Sequence, residues 1–289
     1  MEKIKALAFA KINLSLDITG RRDDGYHLLS TVMQSVSLCD SLYFEKSKQN
    51  GIFITCDDDS IPTGEKNIVC KAAAKLFERY GERGVKIHIE KKIPHGAGLA
   101  GGSADAAATL LALNELFELN ASKDELLKIG VSVGADVAFC MCGGTVLCEG
   151  IGEKLTPLEP LDNFYALIVK SDVLSPTDAA YKRYDEANIS SSSFNQDELS
   201  GAIAQGDIAN LSKNLYNVFE LVTPKEVINE AKAALIESGA QGAIMTGSGS
   251  AVFGLFDKES DAKKAYSELS GRFPFVYLAK PVQNGVTFQ

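Results

Sequence analysis

The sequence lacks the short patterns that define several common nucleotide-binding and membrane classes. It contains no Gly-Lys dipeptide, which excludes a Walker A loop, and neither His-Arg-Asp nor Asp-Phe-Gly, two motifs of protein kinases. The longest apolar-rich stretch, residues 104–119, carries Asp105, Glu115 and Glu118, which excludes a membrane span there. The first eleven residues have no apolar core, so we expect neither a signal peptide nor a transit peptide.

The cysteines are scattered and are not arranged for metal binding. The six cysteines lie at positions 39, 56, 70, 140, 142 and 148. Cys140 and Cys142 form a C-x-C pair, but no second pair or histidine cluster follows at zinc spacing. In a strand these two side chains would share one face, and we interpret them as buried free thiols. We therefore expect a reducing, cytoplasmic location.

Length and charge limit the domain organisation and the kinds of binding partner. The 289 residues, 45% of them hydrophobic, are enough for two domains of comparable size. A formal net charge of −9 argues against a nucleic-acid or membrane-surface partner. The clearest boundary is the Pro-containing segment 156–160, which predicts domains at residues 1–158 and 159–289. Strands and helices interleave without regular βαβ units, which indicates an α+β fold in each half.

Capping patterns predict where several helices begin. Asn67 is expected to cap a helix that runs to Tyr80 and is closed by Gly81. Capping boxes are expected at 122–125 and at 223–226, the second with Pro224 at the first helical position. Residues 137–142 are interpreted as an apolar strand with a hairpin turn at 143–144, and residues 188–196 as a surface loop.

A glycine-rich loop leads into the apolar helix at 104–119. A bare backbone that ends at a helix N-terminus presents unpaired N–H groups and the positive end of the helix dipole to an anion. We interpret the loop as a nucleotide triphosphate cradle and the protein as a kinase. Its residues are Pro94, His95, Gly96, Ala97, Gly98, Leu99, Ala100, Gly101, Gly102, Ser103 and Ala104.

Two other interpretations of this loop are possible. It could be only a tight strand-to-helix connection. Its glycines also match the dinucleotide pattern G-x-G-x-x-G, but the preceding segment 85–91 alternates apolar and polar residues, whereas a Rossmann first strand is buried on both faces. The acidic residue expected about twenty positions later would fall inside the helix. The dinucleotide interpretation therefore fails.

Two charged residues could carry chemistry if the fold brings them together. Asp136, in Gly134-Ala135-Asp136-Val137, is either a cap of a helix or turn or a working carboxylate. Lys11 interrupts the first predicted strand, 6–18, where a lysine is more often a solvated face residue. Placed side by side, Lys11 could keep Asp136 ionised and orient it.

Three sequence blocks lie at residues 10–14, 94–104 and 246–251. Their residues and their order along the chain resemble the galacto-, homoserine, mevalonate and phosphomevalonate (GHMP) kinase superfamily. The resemblance is more specific at two further motifs, Gly25-Tyr26-His27 and Gly134-Ala135-Asp136-Val137. They are similar to the branch of this superfamily whose substrate is a cytidyl diphosphate. The resemblance implies a two-domain α+β fold, with an N-terminal ribosomal-protein-S5-like α/β domain and a C-terminal ferredoxin-like α+β domain.

The resemblance implies ATP-dependent phosphorylation of the 2-hydroxyl of 4-diphosphocytidyl-2-C-methyl-D-erythritol, in isoprenoid precursor synthesis outside the mevalonate route. Asp136 would be the general base and Lys11 its partner, while the glycine loop would wrap the ATP phosphates. His27 would hydrogen-bond the base and Tyr26 would stack on it. The substrate-binding residues implied are Asn13, Tyr26, His27, Thr177, Tyr181, Gly247, Ser248 and Gly249.

Mg²⁺ is the implied cofactor beside ATP, but no second acidic residue near Asp136 offers itself as a ligand. Mg²⁺ would then be held mainly by nucleotide phosphates and water. The same resemblance is taken to imply a monomer or weak homodimer.

Three rival functions stay open at this point. One is a sister kinase for homoserine or mevalonate, against which Tyr26-His27 argues because a small acceptor offers no base for stacking. The others are a catalytically silent nucleotide sensor and a structural interaction domain.

Overall fold

The computed structural model describes residues 1–173, 175–187, 189 and 194–289. Most of the loop predicted at 188–196 lies outside the described residues, and its last residue, Gln196, opens a helix. None of the helices in the described part is long and apolar enough to cross a bilayer.

The strands of the described residues form two sheets. In the first, the order is β12-β1-β2-β4-β3, with β5 pairing to β2 and β6 and with β8 pairing to β1; in the second, the order is β11-β7-β10-β9. The bounds are β1 Lys3–Arg21, β2 His27–Lys46, β3 Gly51–Cys56, β4 Gly84–Glu90, β5 Thr145–Gly150, β6 Lys154–Pro157, β7 Tyr165–Lys170, β8 Tyr216–Asn217, β9 Gly242–Met245, β10 Val252–Phe256, β11 Phe275–Ala279 and β12 Val286–Phe288.

Helices pack against both sheets. Their bounds are α1 Ile68–Tyr80, α2 Gly101–Leu116, α3 Lys123–Val133, α4 Val137–Cys142, α5 Thr177–Ala187, α6 Gln196–Gln205, α7 Ile208–Lys213, α8 Lys225–Glu237 and α9 Glu259–Leu269, with a 3₁₀ turn at Val218–Leu221. Helix α2 is central, because it contacts β1, β2, α1, α3 and α4. Its run of buried alanines lets these neighbours approach closely.

The middle of β1 lies between the two halves of the protein. Ala10, Ile12 and Leu14 of β1 share one hydrophobic cluster with Ile168 of β7 and Phe253 of β10. Residues 10–18 of β1 are accordingly buried on both faces. Any polar side chain in this stretch must therefore find its partners inside the protein.

Several local predictions are confirmed. The side chain of Asn67 accepts a hydrogen bond from the N–H of Val69 at 2.8 Å, and α1 ends at Gly81 with φ at 91°. The capping box of Ser122 and Glu125 is formed at the start of α3. Buried and exposed residues alternate along β4, as expected for a strand with one solvated face.

The strand predicted at 137–142 is wrong, since these residues form α4. Six consecutive apolar residues carry no period that separates a strand from a buried helix. In the helix, Val137 and Met141 both pack over Gly130 of α3. Cys140 and Cys142 therefore do not share a face, and Cys140 is buried while Cys142 is only half-buried. The 143–144 turn consequently joins a helix to β5, not two strands.

Two more local expectations fail. The Thr223 capping box does not form: its hydroxyl donates to the carbonyl of Phe219 at 2.8 Å, and α8 begins after Pro224 without a side-chain cap. The C-terminal strand β12, which no pattern predicted, pairs antiparallel with residues 6–8 of β1. The division at residue 158 stays a prediction, and beyond it β12 belongs to the first sheet.

Candidate active site

The glycine loop turns its carbonyl groups inward. The carbonyl of Ala97 accepts from the N–H of Ala251 at 3.2 Å, and that of Leu99 accepts from the N–H of Lys11 at 3.1 Å. The carbonyl between them, on Gly98, accepts from Lys11 Nζ at 2.9 Å and from Thr246 Oγ1 at 3.2 Å. Three consecutive carbonyl oxygens thus accept hydrogen bonds inside the protein. They do not face, and so do not repel, an anion on the outer side of the loop.

The end of the loop leaves the start of α2 open. Gly96, Gly98 and Ala100 have φ values of 62°, 76° and 57°, in the left-handed region. Ala100 is the N-cap of α2 and makes no side-chain capping bond, so no side chain at that position competes for the first N–H groups of the helix. These features match an anion-binding helix start.

Lys11 connects this loop to Asp136. Its Nζ lies 3.6 Å from Asp136 Oδ2, 2.8 Å from Asn13 Oδ1 and 2.9 Å from the carbonyl of Gly98. Register shifts in β1 at 9–11 and 13–15 flank the lysine, and bulges of this kind redirect side chains. The side chain of Lys11 is 4% exposed and that of Asp136 is 30% exposed. The fold therefore brings the two residues together, with the carboxylate on the solvent side.

Asp136 does not act as a helix cap. It immediately precedes α4, yet its side chain makes no capping hydrogen bond. The alternative that the sequence left open, a carboxylate that only caps a helix, is therefore wrong.

Asn13, expected at the substrate, is a completely buried connecting residue. Its Oδ1 accepts from the N–H of Gly247 at 2.9 Å and from Lys11 Nζ, and it lies 3.1 Å from Thr246 Oγ1. Its Nδ2 donates to Thr31 Oγ1 at 2.9 Å. The side-chain amide thus holds Lys11 against the turn at 246–250.

The same turn is supported by Asn217, which no motif in the sequence marks, and by predicted residues. Asn217 Nδ2 donates to the carbonyls of Met245 at 2.7 Å and Gly247 at 2.9 Å. Ser248 Oγ lies 3.1 Å from Thr177 Oγ1, at the start of α5. Gly247 and Gly249 have φ values of 56° and 86°. The predicted residues of this turn and of α5 therefore adjoin one another.

The predicted aromatic residues are only partly brought together. The rings of His27 and Tyr181 stack with centroids 4.9 Å apart and an interplanar angle of 25°. Burial raises the pKa of Tyr181 to about 12, and the negative charge of Asp136 adds to this increase. Tyr181 therefore lies within the electrostatic influence of Asp136. Tyr26, by contrast, is 62% exposed.

A buried ionic cluster anchors the start of the glycine loop, and no local pattern in the sequence predicts it. Lys91 Nζ contacts Asp40 Oδ2 and lies 2.8 Å from Asp105 Oδ2. Asp40 Oδ1 accepts from the N–H groups of Lys92 at 2.6 Å and Ile93 at 2.8 Å. Burial raises the pKa of Asp105 to about 8, although Lys91 opposes this increase.

The described residues contain no group of three or more His, Cys, Asp or Glu side chains that could hold a metal ion. Asp136 is the carboxylate that lies against Lys11. A divalent cation here would take most of its ligands from nucleotide phosphates and water, as Mg²⁺ readily does.

Comparison with known proteins defines the class. Residues 67–144 match the GHMP kinases N terminal domain, and residues 199–274 match GHMP kinases C terminal. The chain belongs to the GHMP kinase family, and it is a small-molecule kinase. The predicted fold class and the prediction of an enzyme are confirmed.

Relatives within the family carry a more specific name. The 4-diphosphocytidyl-2-C-methyl-D-erythritol kinase of Thermoanaerobacter pseudethanolicus is 44% identical over 289 residues, which cover 99% of each chain. The crystal structure of a 4-(cytidine 5'-diphospho)-2C-methyl-D-erythritol kinase is 32% identical with a TM-score of 0.78, covering 96% of this chain and 98% of that chain. A homoserine kinase from Cytophaga hutchinsonii has the same TM-score, 0.78, at 22% identity, covering 100% of this chain and 98% of its own. That last likeness concerns the fold alone.

Proposed function

We propose that this protein transfers the γ-phosphoryl group of ATP to the 2-hydroxyl of 4-diphosphocytidyl-2-C-methyl-D-erythritol, giving the 2-phosphate and ADP in isoprenoid precursor synthesis. The observation that carries the proposal is the position of Lys11 Nζ between the carbonyl of Gly98 and the carboxylate of Asp136. The full-length relatives with this name support the choice of substrate.

The transfer is a direct displacement. The acceptor oxygen bonds to the γ-phosphorus as the bond from that phosphorus to the β-bridging oxygen breaks, and Asp136 takes the hydroxyl proton. Lys11 orients Asp136 and offsets the negative charge that develops on the reacting oxygen atoms. The amides at the start of α2 bind phosphate oxygens. Mg²⁺, when bound, neutralises charge on the β- and γ-phosphates.

The cytidyl group is proposed to lie near His27 and Tyr181, with the exposed Tyr26 free to cover the base. Thr177 and the turn at 247–249 would contact the diphosphate. The stacked pair of His27 and Tyr181 supports an acceptor with an aromatic base. We retain the predictions of a cytoplasmic location and of a monomer or weak homodimer.

Coupled ADP release tests the reaction. We expect turnover with ATP, Mg²⁺ and the cytidyl substrate, and none with homoserine or mevalonate. Turnover with only one of the small alcohols would refute the substrate proposal.

The role of Asp136 is tested by Asp136→Asn. General base catalysis typically contributes 10²–10⁴-fold, so we expect turnover to fall by about that factor while the dissociation constant for ATP changes little. Asp162→Asn, which alters an exposed aspartate before β7, is the matched control. Near-normal turnover in Asp136→Asn would remove the proposed base.

A further inference from the structure

A carboxylate far away in the sequence contacts His27. Asp185 lies near the end of α5, 158 positions from His27, and its Oδ1 is 2.7 Å from His27 Nε2. The side chain of His27 is 11% exposed and that of Asp185 is 37% exposed. No local pattern marks Asp185, because its importance depends on where α5 packs.

The contact assigns the hydrogen on the imidazole ring. An aspartate oxygen only accepts hydrogen bonds, so Nε2 must carry a hydrogen. In the neutral ring, the other nitrogen, Nδ1, then has a free lone pair and acts as an acceptor.

The ring is also held in one orientation. Tyr181 stacks on one face of His27, and Tyr184 meets the ring edge-on with centroids 5.9 Å apart. Two ring contacts and one hydrogen bond fix both the plane and the rotation of the imidazole. The direction of the Nδ1 lone pair is therefore fixed as well.

We propose that Asp185 is a positioning residue that makes His27 select cytosine over uracil, an inference that rests on the proposed function. With Nε2–H held by Asp185, the Nδ1 lone pair accepts a hydrogen bond from the 4-amino group of cytosine. Uracil carries a carbonyl oxygen at that position, so two acceptors would face each other without a hydrogen between them. A site built around such a donor rejects the analogue that lacks it.

Asp185 also helps to place the loop that carries Tyr26. Its Oδ2 lies 3.7 Å from Arg21 Nη2, and Arg21 Nε donates to the carbonyl of Gly25 at 3.1 Å. A substitution at Asp185 must therefore keep its shape if the effect on His27 is to be isolated. Asparagine keeps the shape, but its amide can either donate or accept, so it does not assign the hydrogen on His27.

The experiment compares kcat and KM for the cytidyl substrate and for its uridyl analogue. In the wild type we expect a strong preference for the cytidyl compound. In Asp185→Asn we expect that preference, expressed as the ratio of kcat/KM values, to fall by about tenfold or more, while KM for ATP stays the same. Asp185→Glu, which restores an acceptor-only carboxylate, is expected to recover part of the preference. Glu186→Gln removes the neighbouring exposed charge and is expected to behave as the wild type.

An unchanged preference in Asp185→Asn would overturn this inference and leave the proposed function intact. Failure of the wild type to phosphorylate the cytidyl compound would instead overturn the proposed function. A measurement on the wild type alone supports or refutes the assignment without any variant. The chain has only three histidines, so the ¹⁵N shifts of the His27 ring can be assigned. Hydrogen on Nε2 alone is expected, and hydrogen on Nδ1, in the neutral or the charged ring, would overturn the inference because Nδ1 could then not accept a hydrogen bond.

Discussion

The contact between the glycine loop and the turn at 246–250 can be tested by Gly98→Ala. Gly98 has a φ of +76°, and a Cβ added there would lie 2.1 Å from the carbonyl oxygen of Thr246 and 3.3 Å from the nitrogen of Gly249. Both obstacles are backbone atoms, so the rotation of a flexible side chain cannot relieve them. One segment must move away from the other.

The expected cost follows from two terms. An alanine in the left-handed region costs roughly 1–2 kcal/mol, and forced overpacking costs roughly 1–3 kcal/mol. We therefore expect the free energy of unfolding to fall by roughly 2–5 kcal/mol. Turnover should fall as well, because the carbonyl of Gly98 accepts from Lys11 Nζ and shifts with the loop.

Urea unfolding and ADP release measure the two effects. Gly201→Ala is the matched control: this glycine lies inside α6 and a Cβ there meets nothing within 4 Å. In a helix interior that change should stabilise by roughly 0.5–1 kcal/mol. If Gly98→Ala unfolded at the same urea concentration as the wild type and kept full turnover, the proposed packing of the two segments would be refuted.

Two further predictions concern buried charges. Lys11→Met should lower turnover by orders of magnitude yet change the urea midpoint little. Without the lysine, Asn13 Oδ1 still accepts a hydrogen bond from the N–H of Gly247, and the carbonyl of Gly98 still accepts one from the hydroxyl of Thr246. A large loss of stability would contradict this reasoning. For Asp105, burial raises the pKa in the folded protein to about 8, well above its ordinary value of 3.8, so the stability that this group contributes is lost as pH rises between these two values. Unfolding midpoints from pH 5 to 9 should therefore decline less in Asp105→Asn than in the wild type, and parallel profiles would contradict the raised pKa.

Local signals in the sequence predicted those features whose causes are themselves local. Asn67 and the Ser122 capping box act within four residues, and both helix starts are as predicted. The bare backbone of 96–102 predicts an anion-binding loop by its residue types alone, and that role stays a prediction. Where local cues were ambiguous, packing decided: residues 137–142 are a helix because Val137 and Met141 fit over Gly130.

The sequence by itself determined the class of fold, singled out the glycine-rich loop as a candidate anion site and identified the candidate lysine and aspartate. Only the tertiary structure decided that Lys11 and Asp136 meet, that Asn13 is buried beneath them, and that Asp185 reaches His27 across 158 positions. The reason is physical. Caps and turns satisfy hydrogen bonds with neighbours along the chain, whereas buried charges and amides are satisfied by whichever distant strands and helices the hydrophobic core brings against them.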